Sequence, residues 1–198
     1  MHIKPVIEPA DHTLGNAKGA LQVICYGDYL CPASREVHSV VSQLLTAFEG
    51  KIHYAFRPFP PWQHQPPALL AARAAEAAGR QGHYWPMHDA LFRHKGRPDP
   101  DGLCDLAAGV GLHPERFHAD LHDPALTRRL LARVEEGRRM GIRTAPALFV
   151  NGTRQPNTAL WYLQEQMERW LTASSVGRLL GTVDRLRGTV HWGPGTGL

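Results

Sequence analysis

The chain has 198 residues, 43% of them apolar and 20% charged, with a formal net charge of +4, which excludes a disordered or fibrous polypeptide and fits one globular domain able to bury a core. No stretch approaches eighteen consecutive apolar residues, so a membrane-spanning helix is excluded. Residues 1–9 lack the apolar core of a secretory signal, and a cytoplasmic protein is expected.

From the N-terminus, residues 21–27 form an apolar run that reads as a buried strand. A helix over 32–49 follows, with Val37, Val40, Val41, Leu44, Leu45 and Phe48 at helical spacing and Gly50 ending it. Residues 51–59 alternate as a strand does (Ile52, Tyr54, Phe56), and Pro58, Pro60 and Pro61 stop it. Helices are then predicted over 67–80, 83–93, 101–110, 114–122 and 124–140, the first rich in Ala and Leu with proline at its start. A strand at 147–150 turns at Asn151 and Gly152, and Thr158 is placed to cap a helix running to about Leu171, with Leu160, Leu163 and Met167 facing inward. From Ser174, Val176, Leu179, Leu180, Val183 and Leu186 share one helical face, weakened by Gly177 and Gly181. This amphipathic extension, residues 173–198 with an irregular end at His191 and Trp192, would pack on its own domain or pair two copies. The order describes an α/β unit, residues 1–172, carrying an inserted α-helical subdomain over about 63–140.

The three cysteines stand at 25, 31 and 104, an odd and scattered set that is no disulfide framework and fits a reducing compartment. Cys25 lies inside an apolar strand and Cys104 inside a helix, and both read as packed thiols. Cys31 differs, because it stands where the first helix begins. A helix N-terminus offers unpaired N–H groups and about half a positive charge. A cysteine so placed can fall below the free value of roughly 8.5 and act as a nucleophile. Ser34 is three positions on, so the segment is Cys-x-x-Ser and cannot store two electrons as an internal disulfide.

Other clusters are weaker. Arg128, Arg129, Arg133, Arg138, Arg139 and Arg143 are interrupted by Glu135 and Glu136 and spread around a helix. They read as a solvated face rather than a nucleic-acid surface, the alternative being an anionic ligand such as glutathione. His118 and His122 share a helical face near His113, but no acidic residue or cysteine completes a metal set, and no metal is expected. The absence of a Gly-rich phosphate loop argues against a nucleotide, and no cofactor is implied.

Several motifs occur in order. Asp11-His12 with Gly15 precedes Tyr26-Gly27-Asp28-Tyr29-Leu30-Cys31-Pro32, and Arg57 and Phe59-Pro60 follow. Then come Gln81-Gly82, Trp85, Met87-His88-Asp89 and Leu91-Phe92, Gly111-Leu112, Arg116-Phe117, Asp120-Leu121 and, last, Gly141-Ile142, Ala145-Pro146-Ala147, Phe149 and Asn151-Gly152. To about residue 172 the chain resembles the DsbA-like branch of thioredoxin-fold thiol–disulfide oxidoreductases. The resemblance implies a thioredoxin-like fold with a helical insertion, a cis-proline at Pro146, and a substrate groove formed by Pro32, Ala33, Ala145 and Pro146. It also implies structural roles for His64 and His88, and either a proton-transfer or a hydrogen-bonding role for Asp28. Two positions depart from the family pattern. Ser34 replaces the second active-site cysteine, and Ala145, preceded by Thr144, stands where Thr or Val is usual.

Chemistry for a lone thiolate follows. Cys31 could attack a disulfide and form a mixed disulfide, while Ser34 could donate a hydrogen bond to the thiolate but not resolve the product. Resolution would need an external thiol, with glutathione as a possible co-substrate and protein or peptide thiols and disulfides as partners. A redox-inactive module binding an extended peptide by strand addition is a second expectation. A third is an enzyme resembling kappa-class glutathione transferases, although their motif carries its hydroxyl first and this one carries it fourth.

Overall fold

A computed structural model describes residues 4–61, 63 and 65–187. The strands are β1 (Thr13–Gly15), β2 (Leu21–Gly27), β3 (Ile52–Pro58), β4 (Ala147–Val150) and β5 (Thr153–Arg154), in one sheet of order β1-β3-β2-β4-β5. β2 and β3 are parallel, and every other pairing is antiparallel. Helix α1 (Pro32–Ala47) joins β2 to β3. Between β3 and β4 lie α2 (Pro66–Gly79), α3 (Tyr84–Arg93), α4 (Pro100–Gly109), α5 (Pro114–Leu121) and α6 (Pro124–Arg139), and α7 (Leu160–Arg187) follows β5.

β2 is apolar without polar alternation because both of its faces are covered. Leu21, Val23 and Cys25 enter one buried cluster with Val37, Val41 and Leu44 of α1 and Leu163 and Met167 of α7. Ile24 and Tyr26 point the other way, into a smaller cluster with Val134 of α6, Ile142 and Phe149. The alanines of α2 explain how the helical block closes on the sheet. Ala71, Ala74, Ala75 and Ala78 are fully buried in the larger cluster, and their small side chains let neighbouring elements approach closely.

The inserted helical subdomain is present, and each of its five helices starts and ends within one residue of its expected bounds. β1 and β5 were not expected as strands. At three and two residues they are too short for a period-two pattern, and they exist because β3 and β4 offer them an edge. Asn151 (φ 48°) and Gly152 (φ 73°) make the β4–β5 turn in left-handed conformations, as the Asn-Gly pair predicts. Asn157, rather than Thr158, supplies the side-chain acceptor before α7, taking the Ala159 N–H at 2.9 Å. α7 is one helix through Arg187, crossing the expected boundary at 172/173. The apolar face expected from Val176 to Leu186 lies outside the described side chains. His64, His191 and Trp192 lie outside the described residues.

Among the described residues no helix is long and apolar enough to cross a membrane.

Candidate active site

β2 ends at Gly27, where a Cβ would stand 2.4 Å from the Phe56 ring, so only glycine lets Phe56 pack against this turn. The chain then turns through Asp28 to Leu30 and starts α1. Asp28 is buried, its Oδ1 accepting the Leu30 N–H at 3.1 Å, and its carbonyl takes the Cys31 N–H at 3.1 Å. Burial raises the Asp28 pKa from its ordinary value, partly opposed by the Leu30 N–H.

Cys31 is the N-cap of α1, with extended backbone (φ −82°, ψ 120°), and no side chain caps the helix. Pro32 occupies the first turn, where its missing N–H costs nothing. The Cys31 thiol is partly exposed and lies 3.8 Å from the carbonyl oxygen of Ala145. The Ala145–Pro146 peptide is cis. A groove of about 480 Å³ opens over the sulfur, walled by Asp28, Pro32 and Ala145 and by Phe59, Arg138 and Arg143.

The expected site residues do not all converge. Cys31, Pro32 and Ala145 share the groove. Pro146 lines a neighbouring hollow with Ala147 and Gln155, and Ala33 points to solvent. Ser34 is 2% exposed, and its hydroxyl accepts the Asp28 N–H at 3.1 Å. Among the described hydrogen bonds none joins Ser34 to the Cys31 sulfur, and the one to Asp28 ties the turn to the helix. Cys25 is buried in β2 beside Tyr54, and burial pushes its thiol up to about 12, leaving it inert. Cys104 is partly exposed on α4, and its thiol is also raised, first by burial and then by Asp101 and Asp105.

Two buried polar groups support the site from behind. His88 on α3 is 1% exposed among Tyr29, Phe56, Trp85 and Phe92, with Nδ1 3.0 Å from the Tyr29 hydroxyl. Burial holds its pKa well below the usual range, and His38 adds to this. Arg57 at the end of β3 pairs with Asp11 at 2.7 Å, donates to the Tyr26 hydroxyl and to the Val6 carbonyl, and so moors the N-terminal segment. Arg133 also pairs with Asp11, and Arg129 with Glu76. The arginine run of α6 is thus partly structural, where a solvated face was expected. The sequence singled out His88 but missed His38, whose partners come from another helix.

His38, His88 and Asp89 each offer a donor atom within 4.8 Å of the others. His38 stacks on Phe92 at 4.6 Å and its Nε2 is 3.6 Å from Asp89. Burial lowers the His38 pKa, and Arg93 lowers it further against the pull of Asp89. The His38 and His88 rings lie 5.0 Å apart, and the trio packs within the aromatic cluster around Phe92.

A family model described as thioredoxin matches residues 8–171. Among curated proteins, the chain is 34% identical over 176 residues to a Na(+)/H(+) antiporter NhaA 1 of Salinispora arenicola, covering 89% of this chain and 26% of that protein. A second antiporter of that name, from Mycolicibacterium gilvum, is 31% identical over 154 residues, with coverages of 77% and 25%. The chain spans about a quarter of the length of the curated relatives it matches. Among solved structures, a thioredoxin-like oxidoreductase from Silicibacter pomeroyi superposes with a TM-score of 0.73 at 28% identity, over 82% of this chain and 92% of that one. BdbD from Bacillus subtilis, in its oxidised form, gives a TM-score of 0.76 at 23% identity, over 85% and 96%. The chain belongs to the thioredoxin family, with the fold of the DsbA-like thiol–disulfide oxidoreductases.

Proposed function

We propose that the protein exchanges disulfides through Cys31 alone. The observation that carries this is the placement of one partly exposed thiol at the uncapped start of α1, on the floor of a groove and 3.8 Å from the Ala145 carbonyl. The Cys31 thiolate attacks one sulfur of a substrate disulfide. A bond from Cys31 to that sulfur forms, the substrate S–S bond breaks, and the other sulfur leaves with the electron pair as a thiolate. A second, external thiolate then attacks the mixed disulfide and returns Cys31 to its reduced form. Glutathione or a protein thiol is the external thiol in this reading. Ser34 holds the turn through Asp28 and takes no part in electron transfer. The odd, scattered set of three cysteines fits work in a reducing, cytoplasmic setting. Residues 1–172 carry the chemistry in this reading.

The test is incubation with oxidised glutathione, read by intact mass and peptide mapping. A single glutathione adduct on Cys31, absent from Cys31→Ala, is expected. Equal adduct on the two proteins overturns the proposal.

The curated relatives favour one other reading. They are named antiporters, and a chain matching about a quarter of their length has the proportions of a binding module attached to a transporter. In that case the groove binds an extended segment of protein, and Cys31→Ala keeps the binding while the wild type forms no adduct.

A further inference from the structure

We propose that Arg138 and Arg143 make this groove selective for thiols and disulfides that carry carboxylates close to the sulfur. The inference rests on the Cys31 reading above and names its substrate class. Both arginines line the groove that Cys31 also lines. Arg143 lies two residues before Ala145, whose carbonyl is 3.8 Å from that sulfur, so it is on the strip of chain that a bound substrate would run along. It is exposed, and among the described residues no carboxylate lies within ion-pair distance of it. Arg138 stands in the last turn of α6, and its partners are loose. Glu135 is 3.8 Å away and largely exposed, and the Gln63 amide oxygen is 3.4 Å away. Neither contact would hold the side chain against a better acceptor.

The contrast within the same run of sequence matters. Arg133 is committed to Asp11 and Glu8, and Arg129 to Glu76. The two that line the groove with Cys31 are the loosely held ones. The carboxylate in the groove lining, Asp28, is buried and already accepts the Leu30 N–H. Two arginines and one buried carboxylate thus share the lining of the groove. Guanidinium groups donate paired, planar hydrogen bonds to carboxylates, which an ammonium does not reproduce. Two partly exposed charges acting over several ångströms are worth about three- to tenfold in rate, falling as salt rises because the Debye length is about 8 Å at physiological ionic strength. A small thiol such as glutathione and a cysteine in an acidic protein segment share this chemistry.

The experiment measures rate constants for mixed-disulfide formation at Cys31 with reagents of matched size and opposite charge, at low salt. Dithiodiglycolate is the dianion, bis(2-hydroxyethyl) disulfide the neutral reagent and cystamine the dication. Oxidised glutathione and a disulfide-linked peptide with acidic flanks serve as the two candidate sources. We expect the order dianion, neutral, dication, and a dianion-to-neutral ratio that drops about three- to tenfold in the Arg138→Gln/Arg143→Gln double variant. Arg169→Gln removes one exposed charge on α7, outside the groove, and should keep the wild-type ratio. A larger gain for the acidic peptide than for oxidised glutathione assigns protein segments as the source, and the reverse assigns small thiols. A wild-type ratio in the double variant, or an equal drop in Arg169→Gln, overturns the selectivity while leaving Cys31 exchange intact. No adduct with the neutral reagent overturns the Cys31 reading and this inference with it.

Discussion

Ser34 sits beside the turn before α1 with its hydroxyl accepting the Asp28 N–H, so its replacement separates chemistry from architecture. Cysteine there rebuilds a Cys-x-x-Cys segment at a helix start. Ser34→Cys is expected to form an internal disulfide with Cys31 on mild oxidation, read as a mass loss of two hydrogens and protection of both residues from alkylation. The weaker sulfur acceptor should cost about 0.5–1.5 kcal/mol in urea unfolding. Asp28 gives a second prediction. Its folded pKa is raised by burial, so above the unfolded value near 3.8 the native state binds the proton more readily than the unfolded chain. Stability from this residue is therefore lost as pH rises through that window and does not return at neutrality. Asp28→Asn keeps an oxygen for the Leu30 N–H and removes the charge. It should unfold at higher urea than wild type at pH 7, with the gap shrinking towards pH 4.

At the scale of elements, buried polar pairs fix how the strands and helices meet. Asp11 and Arg57 have side chains 1% and 5% exposed, and their ion pair binds the segment before β1 to the end of β3. Removing one member leaves the other charged and buried. Asp11→Ala should cost about 3–5 kcal/mol, measured by urea denaturation. α3 is anchored differently, through His88 and the Tyr29 hydroxyl at 3.0 Å. The folded pKa of His88 lies well below 6.5 while the unfolded chain keeps the ordinary value, so its contribution is complete above about pH 6.5 and is lost as pH falls below it. The wild-type urea midpoint should drop between pH 7 and pH 5, and His88→Phe should show a shallower drop.

For the whole molecule, the larger core decides how the parts unfold. It is continuous from Leu21 and Val23 of the central strand, through Ala74 and Ala78 of α2, to Leu103, Phe117 and Leu121 of the insertion and Met167 of α7. A subdomain that shares its core with the sheet does not melt alone. Leu121→Ala in the insertion and Met167→Ala on α7 should each cost about 2–5 kcal/mol. Both should shift one transition seen alike by tryptophan fluorescence and far-ultraviolet circular dichroism. Two separated transitions would show that the insertion is an independent folding unit.

The sequence by itself determined the α/β order, the insertion and the position of Cys31 at a helix start. Those features rest on local periodicity, proline and glycine placement and the Cys-Pro pair, which act over a few residues. It also determined the chemical deficit at Ser34, because a hydroxyl cannot do what a second thiol does. Only the tertiary structure decided that the Ser34 hydroxyl accepts the Asp28 N–H, that Arg133 pairs with Asp11, and that Arg138 and Arg143 line the groove with Cys31. It also decided that the two short strands β1 and β5 form at all. Each of these depends on a partner brought in by the turn before α1, the packing of α6 or the edge of a neighbouring strand. The direction of a side chain around a helix or turn is set by what packs against it, and spacing along the chain carries no record of that partner.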